Sequence, residues 1–424
     1  MKLLRKATLV SMLVALLSGI IPANAQDTEL SIVWFAWPPC DLLDTITDDY
    51  PDATVTVSCV PIGQWFDQIF LDFASGGGAD LPILDSQFMG AAVEGNHIVD
   101  LTEWMNENLP VDDYVPAALS AYGEVPAGSG DFYSVPMMTD TRMLVYRTDV
   151  FEEAGLEPPT SWTELLEQAQ GFAEGDTIEN GFATHWSPDG DLVATTWNHI
   201  LWSFGGELWD SETYQVEGII NDETGVEAVN FANQLWQTAP SGAGSFGFDE
   251  VVGAMCNGTT AMVEIWYGFG GAFTDSDSCA EADNIGFAVV PGEDEHFISL
   301  GGMGISLSAY SENQEEALAL IQWLQSDEIQ LRWAREGGFP GRTSILNSED
   351  FLDSAPYAPS FAEAFQLVKD FWNLPEYQEM LGIQQEFLNL AITGQIDAEE
   401  ALDEIAAEHQ ELLNDAYPDI TGSE

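Results

Sequence analysis

Four groups of side chains stand at the ends of short apolar runs or beside one, and each mixes flat rings or acids with hydrogen-bonding heads. Trp34, Phe35 and Trp37 close the run Leu30 to Phe35. Asp85-Ser86-Gln87-Phe88 close the run from Leu81 to Asp85. Thr139-Asp140-Thr141-Arg142 precede Met143 to Tyr146, and Trp266-Tyr267 follow Ala261 to Ile265. Trp and Tyr faces stack on the C–H surface of a sugar ring, while Asp, Gln and Arg heads bond hydroxyls. In α/β sheets, ligands bind beyond the carboxyl ends of strands. A single such ring is more often core than ligand wall. The recurrence of the pattern carries the reading.

Other chemistries lack their residues. A phosphate-binding loop needs a Lys, and the only Lys after the leader is Lys369, in Leu367-Val368-Lys369-Asp370. No Gly-x-Ser-x-Gly elbow occurs. Gly242-x-Gly244-x-x-Gly247 matches a dinucleotide pattern, but it follows Pro240-Ser241 rather than a strand and reads as a surface loop. Asp275-Ser276-Asp277 lacks the Gly and the distant Glu of a calcium loop. The five His, at 97, 185, 199, 296 and 409, never pair at His-x-x-x-His spacing. No metal and no cofactor are expected. Acid-pair catalysis needs two carboxyls roughly 5 to 10 Å apart, a distance that sequence does not give.

Charge narrows the partners. Lys2, Arg5 and Lys6 of the nine basic residues fall in a leader, leaving Arg142, Arg147, Arg332, Arg335, Arg342 and Lys369. Six against 72 acids gives −66 after leader removal, with His neutral. Such a polyanion lacks the clustered cations that bind nucleic acid, and anionic lipid repels it. Its self-repulsion disfavours the compact state in dilute buffer. Molar salt, with a Debye length of roughly 3 Å, removes most of that cost. A saline habitat is the leading explanation, and an acidic medium, where carboxylates are protonated, is the rival.

Residues 1–25 read as a cleaved secretory signal: a charged start, an apolar stretch from Ala7 to Ile21, and Ala23-Asn24-Ala25 before Gln26. No Cys follows to anchor a lipid. The expected location is the periplasm. Cys40, Cys59, Cys256 and Cys279 are an even set in an exported chain. They allow three pairings, of which two local disulfides are the simplest. About 400 remaining residues point to two domains. A hydrophobic fraction of 46% argues against an acidic disordered chain.

The elements that position these groups read as α/β. Leu30–Phe35 is a strand stopped by Trp37-Pro38-Pro39, followed by a helix at Asp41–Tyr50 and an alternating strand at Thr54–Val60. Gln64–Ala74 is a helix headed by Trp65, and Leu81–Asp85 a third strand. Ser161-x-x-Glu164 and Ser311-x-x-Gln314 read as helix caps. Thr184-His185-Trp186 is placed at the end of a second-domain strand, and Asp397–Tyr417 is an amphipathic helix.

Several segments, taken in order, resemble a known family. Tyr133-Ser134-Val135-Pro136, Thr139-Asp140, Leu144-Val145-Tyr146-Arg147, Phe151-Glu152-Glu153-Ala154-Gly155-Leu156 and Pro159-Thr160-Ser161-Trp162-Thr163-Glu164-Leu165 carry it best. Gly95 to Thr102, Gly258-Thr259-Thr260-Ala261-Met262, Leu300 to Ile305 and Gly337 to Arg342 extend it. The chain is similar to extracellular solute-binding proteins of ABC importers, in the maltose-binding-like, sugar-binding group. One departure is Tyr146-Arg147-Thr148, where the family commonly has Tyr-Asn-Lys.

The resemblance implies a type II periplasmic binding fold: two α/β lobes around a cleft, crossed by the chain three times. The crossings fall near Pro136–Thr141, His296–Gly301 and Arg342–Ile345. Lobe one takes 26–138 plus 299–342, and lobe two 139–298 plus 343–424. It implies a monomer that captures a solute, expected here to be a neutral sugar or related polyhydroxy compound, and delivers it to permease subunits in the inner membrane without catalysis. A secreted glycoside hydrolase and a non-transport ligand sensor are the alternatives. The candidate cleft residues are Trp37, Trp65, Asp85, Gln87, Asp140, Arg142, Trp186, Glu264, Trp266, Gly302 and Arg342. The scarcity of cations singles out Arg142 and Arg342 as expected cleft groups.

Overall fold

The computed structural model describes residues 28–370 and 373–423. The signal-peptide reading of residues 1–25 lies outside them. Among the described residues, seven of nine strands run in the order β2 (Thr54–Val60), β1 (Glu29–Phe35), β3 (Leu81–Asp85), β8 (Ile298–Ser306), β4 (Ser134–Arg147), β6 (Thr260–Trp266) and β5 (Asn180–Ala183). β7 (Ile285–Val289) pairs with β4, and β9 (Val368–Lys369) with β8. β1 is parallel to β2 and β3, as helical crossovers require. The architecture is the two-lobed α/β fold expected.

One strand belongs to both lobes. The first half of β4 pairs antiparallel with β8, from Ser134 on Ser306 to Thr141 on Leu300. The register shifts between Pro136 and Met138, where a proline offers no N–H to the ladder. From Arg142 onward β4 lies against β6, and from Met143 it also pairs with β7. The sequence pattern exposed only Met143 to Tyr146 of this strand. The whole of it is buried apart from Tyr146, so it carries no alternation for the eye to follow.

Local capping follows the sequence in part. Ser161 accepts from the Glu164 N–H at 3.1 Å and caps helix Trp162–Glu174, while the Glu164 carboxylate takes the Thr160 N–H instead of closing a box on Ser161. Ser311 does not cap the helix Gln314–Leu324: its hydroxyl donates to Asp80 Oδ1 at 2.6 Å, and Asn313 occupies the cap.

Two disulfides close local loops, Cys40–Cys59 and Cys256–Cys279, the simplest pairing. The first ties the helix Pro38–Thr47 to the end of β2, beside Trp37. After β8, helices Thr343–Leu346 and Glu349–Leu352 pack on helix Asp327–Arg335. Ala358–Ala364 then packs on β4 and β7, and the long helices Tyr377–Ile392 and Ala398–Ala416 pack on each other and on Glu223–Trp236.

Candidate functional site

A cleft opens where the ends of β1, β3 and β6 meet the middle of β4 and β8. Of the candidates named from sequence, Trp37, Trp65, Asp85, Gln87, Asp140, Trp266 and Gly302 line it. Strand ends deliver them as expected for α/β sheets: Trp37 two residues past β1, Asp85 closing β3, and Trp266 closing β6.

The walls are aromatic on both sides. Phe35 stacks on Trp37 with centroids 4.6 Å apart and meets Trp65 at 5.0 Å. Trp65 meets Phe88 edge-on at 4.8 Å. Across from them, Phe248 at the head of helix Phe248–Cys256 stacks on Phe269 at 4.6 Å. Both rings line the cleft, as does Trp266. Gly301 and Gly302 on β8 keep the strand bare there. A Cβ on Gly301 would strike the Trp266 ring, and Gly302 sits at φ +122° against the Met138 and Thr139 backbone.

Between the walls stand three acids. Asp85 caps helix Ser86–Glu94, accepting from Ser86 Oγ at 3.2 Å and the Gln87 N–H at 3.5 Å. Burial, then the charge of Asp191, raises its carboxyl to about 7. Asp140 accepts from the Thr141 N–H at 2.8 Å and the Gly268 N–H at 3.2 Å. Burial outweighs those bonds and the attraction of Arg142, and lifts Asp140 to about 8. Asp191 is also raised by burial. Trp37 Nε1 and Trp65 Nε1 are buried donors with no hydrogen-bond partner among the described residues. The lining thus offers acceptors, amides and indole N–H groups between ring faces. Among the described residues no group of three or more His, Cys, Asp or Glu is placed to hold a metal ion.

The sequence profile described as bacterial extracellular solute-binding protein matches residues 42–331 of the 424-residue chain. The chain belongs to the bacterial extracellular solute-binding proteins. Members of this family work in the periplasm or outside the cell. A probable ABC transporter-binding protein of Deinococcus radiodurans is 26% identical over 280 residues, 64% of each chain. The present chain therefore spans less than two thirds of that relative. A mannitol-binding protein of Pseudomonas aeruginosa is 27% identical over 322 residues, 69% of this chain and 72% of the relative. Among solved structures, a maltose-bound MalE3 protein of T. maritima superposes with a TM-score of 0.81 at 23% identity, covering 91% of this chain and all of that one. A ribitol complex of a solute-binding protein from Agrobacterium radiobacter gives 0.80 at 24%, covering 91% and 98%. At these identities the two structures speak to the fold.

Four sequence candidates lie outside this solute-binding protein's cleft. Arg142 is fully buried beneath it, paired through Nε with Glu264, which is equally buried. Its other nitrogens donate to Thr195 Oγ1 at 3.1 Å and Thr196 Oγ1 at 2.6 Å, and one lies 3.0 Å from His185 Nδ1. Burial alone would raise Glu264, but Arg142 and His199 hold it below the usual range. This pair supports the floor. Trp186 lies past β5 in the core, fully buried, its carbonyl held by Asn389 at 2.6 Å. Arg342 donates to Asp113 at 2.8 Å and Asp327 at 2.7 Å and so ties those two segments together. The expectation that scarce cations mark the cleft is corrected: none of the six lines it. A desolvated guanidinium needs a fixed carboxylate. Each of the six has found one.

Sequence reasoning missed Asp191, Gln378, Phe248 and Phe269 in the lining. Asp191 precedes helix Leu192–Ser203, every residue of which is buried, so no amphipathic stripe announced it. Gln378 sits at the start of Tyr377–Ile392. Phe248 follows the Gly-rich loop at 242–247, and that loop was a visible signal for a helix start.

Proposed function

We propose that this protein captures a sugar or related polyol between its lobes and delivers it to the permease subunits of an ABC importer. The observation that carries the reading is a cleft walled by Trp and Phe from both lobes, with carboxylates and amides between the rings. Ring faces take C–H surfaces and the polar heads take hydroxyls. Because only the closed form touches solute on both sides, binding favours closure. A mannitol-binding relative and structural neighbours solved with ribitol and maltose support this class. With three acids and no cation in the lining, anionic solutes are disfavoured.

A thermal-shift screen in molar salt, across sugars, polyols, amino acids and carboxylates, tests the reading. Sugars or polyols should raise the melting temperature. A large shift with a carboxylate and none with any sugar or polyol overturns it.

The same reading holds the working protein to be a periplasmic monomer released by cleavage after Ala25, without catalytic activity, in a saline habitat. No helix among the described residues is long and apolar enough to cross a membrane. Release of products from an oligosaccharide by the pure protein would count against the non-catalytic reading. The proposed lobes are 26–138 plus 299–342 and 139–298 plus 343–424, with the short helices at 343–352 still packed on the lobe-one helix Asp327–Arg335.

A further inference from the structure

Resting on that sugar-or-polyol reading, we infer that the cleft selects, among polyhydroxy solutes, those that carry a protonated amine: an amino sugar or an amino-polyol. Three acids, Asp85, Asp140 and Asp191, line one cleft whose lining holds no Lys, Arg or His, although Asp140 and Asp191 feel the charge of buried Arg142 beneath it. The nearest guanidinium, Arg142, is spent on Glu264 and lies under Trp266 at 4.7 Å from the ring centre. A neutral polyol gives these buried acids O–H donors but no charge that would draw them into their ionised forms. A protonated amine gives N–H donors and a compensating charge, and charge-assisted bonds are about twice as strong as neutral ones.

The walls suit the same group. A cation within about 6 Å of a Trp, Tyr or Phe face is attracted to it, the more so when desolvated. Trp37, Trp65, Phe248 and Trp266 offer faces in the same space as the acids. The rest of the solute must be polyhydroxy. The Trp37 and Trp65 indole N–H groups are each more than nine-tenths buried and find no partner among the described residues. They are donors only, and hydroxyl oxygens accept from them. The acids and the indoles thus ask for two different functions on one molecule.

Placement links the charge to closure. Asp85 ends β3 in lobe one, and Asp191 heads the helix Leu192–Ser203 that packs with the lobe-two helices. Burial first, and the charge of Asp191 second, hold Asp85 up at about 7, so the two acids sense each other across the cleft. A cation between them turns their repulsion into a bridge. A bare metal ion is a poorer occupant, because no three ligating groups converge among the described residues. Molar salt does not erase the preference, since buried pairs are screened much less than exposed ones.

Isothermal calorimetry on the mature chain in molar KCl tests the inference with matched pairs. Glucosamine is set against glucose, galactosamine against galactose, mannosamine against mannose and glucamine against glucitol, with choline as a cation lacking a polyol. At least one amine should bind tenfold or more tighter than its parent. Asp191→Asn should bring that ratio toward one, and Asp85→Asn serves if the first variant does not fold. Parents binding as tightly as their amines overturn this inference and leave the sugar-or-polyol reading standing. Choline alone, or nothing in the panel, overturns both.

Discussion

The Arg142 guanidinium lies 4.7 Å from the centre of the Trp266 ring, with Glu264 on its other bonds. Trp266 faces the cleft while the ion pair beneath it is shut off from solvent. The pair therefore fixes a wall of the site without touching what enters it. Removing one member strands the other charge in a low-dielectric interior, which costs about 3–5 kcal/mol. Arg142→Met should lose that much stability by denaturant unfolding in high salt, and Glu264→Gln should behave alike. A loss under about 1 kcal/mol would show that the pair does not hold the floor.

The contrast between Trp266 and Trp186 is a second expectation. Both are buried tryptophans, yet only Trp266 lines the cleft. Trp266→Ala should weaken a sugar or polyol found by the thermal screen about tenfold, the value of roughly 1.4 kcal/mol of stacking. Trp186→Ala empties core volume and should cost about 3–5 kcal/mol of stability. Calorimetry and unfolding on both variants separate the roles. Equal effects on affinity would collapse the distinction.

Why the two were confused in the sequence is a physical matter. Composition and neighbours mark a ring as aromatic, not which way its strand end turns. Trp37 and Trp266 were legible because one lies two residues past an apolar strand and the other closes one. Trp186 mimicked them, but β5 stops at Ala183 and the chain then turns inward. The fold itself was legible from motif order and from strands with alternation or hard stops. The long β4 was only partly so, because a strand buried on both faces shows no pattern. Arg142 misled because a lone cation in an acidic chain looks functional. Asp191 stayed hidden behind a helix buried all round.

The pH profile of stability should peak on the acid side of neutrality. Asp85 and Asp140 sit at about 7 and 8 when folded, above the usual carboxylate value. A raised folded value means the native state binds more protons, so stability falls as pH rises toward 8. His199 and His409 are depressed to about 4 by burial, and burial also holds His185 well below its usual value. For these the unfolded chain binds more protons, so stability is lost as pH falls below about 6.5. Between pH 8 and 7 the acids dominate this set, so lowering the pH there should raise the melting temperature. Asp140→Asn should flatten that limb. A melting temperature that climbs steadily from pH 6.5 to 8 would contradict the assignment.

Salt dependence follows from how few counter-charges the fold holds. Buried Arg142 and Arg342 are largely shielded from added ions, whereas the Arg335–Asp350 pair is exposed, at 3.5 Å. Exposed pairs of that kind contribute about 0–1 kcal/mol, so screening them loses little. Screening the repulsion among the remaining acids of a 72-acid chain gains more. The Debye length falls from about 10 Å at 0.1 M to roughly 3 Å at 1 M, shorter than typical spacings between surface carboxylates. The melting temperature in neutral buffer should therefore rise steeply between 0.1 and 1 M salt. KCl and NaCl should act alike, because screening depends on ionic strength. An unchanged melting temperature would mean that the acid surplus is not a burden at neutral pH, and the acidic-medium account would take its place.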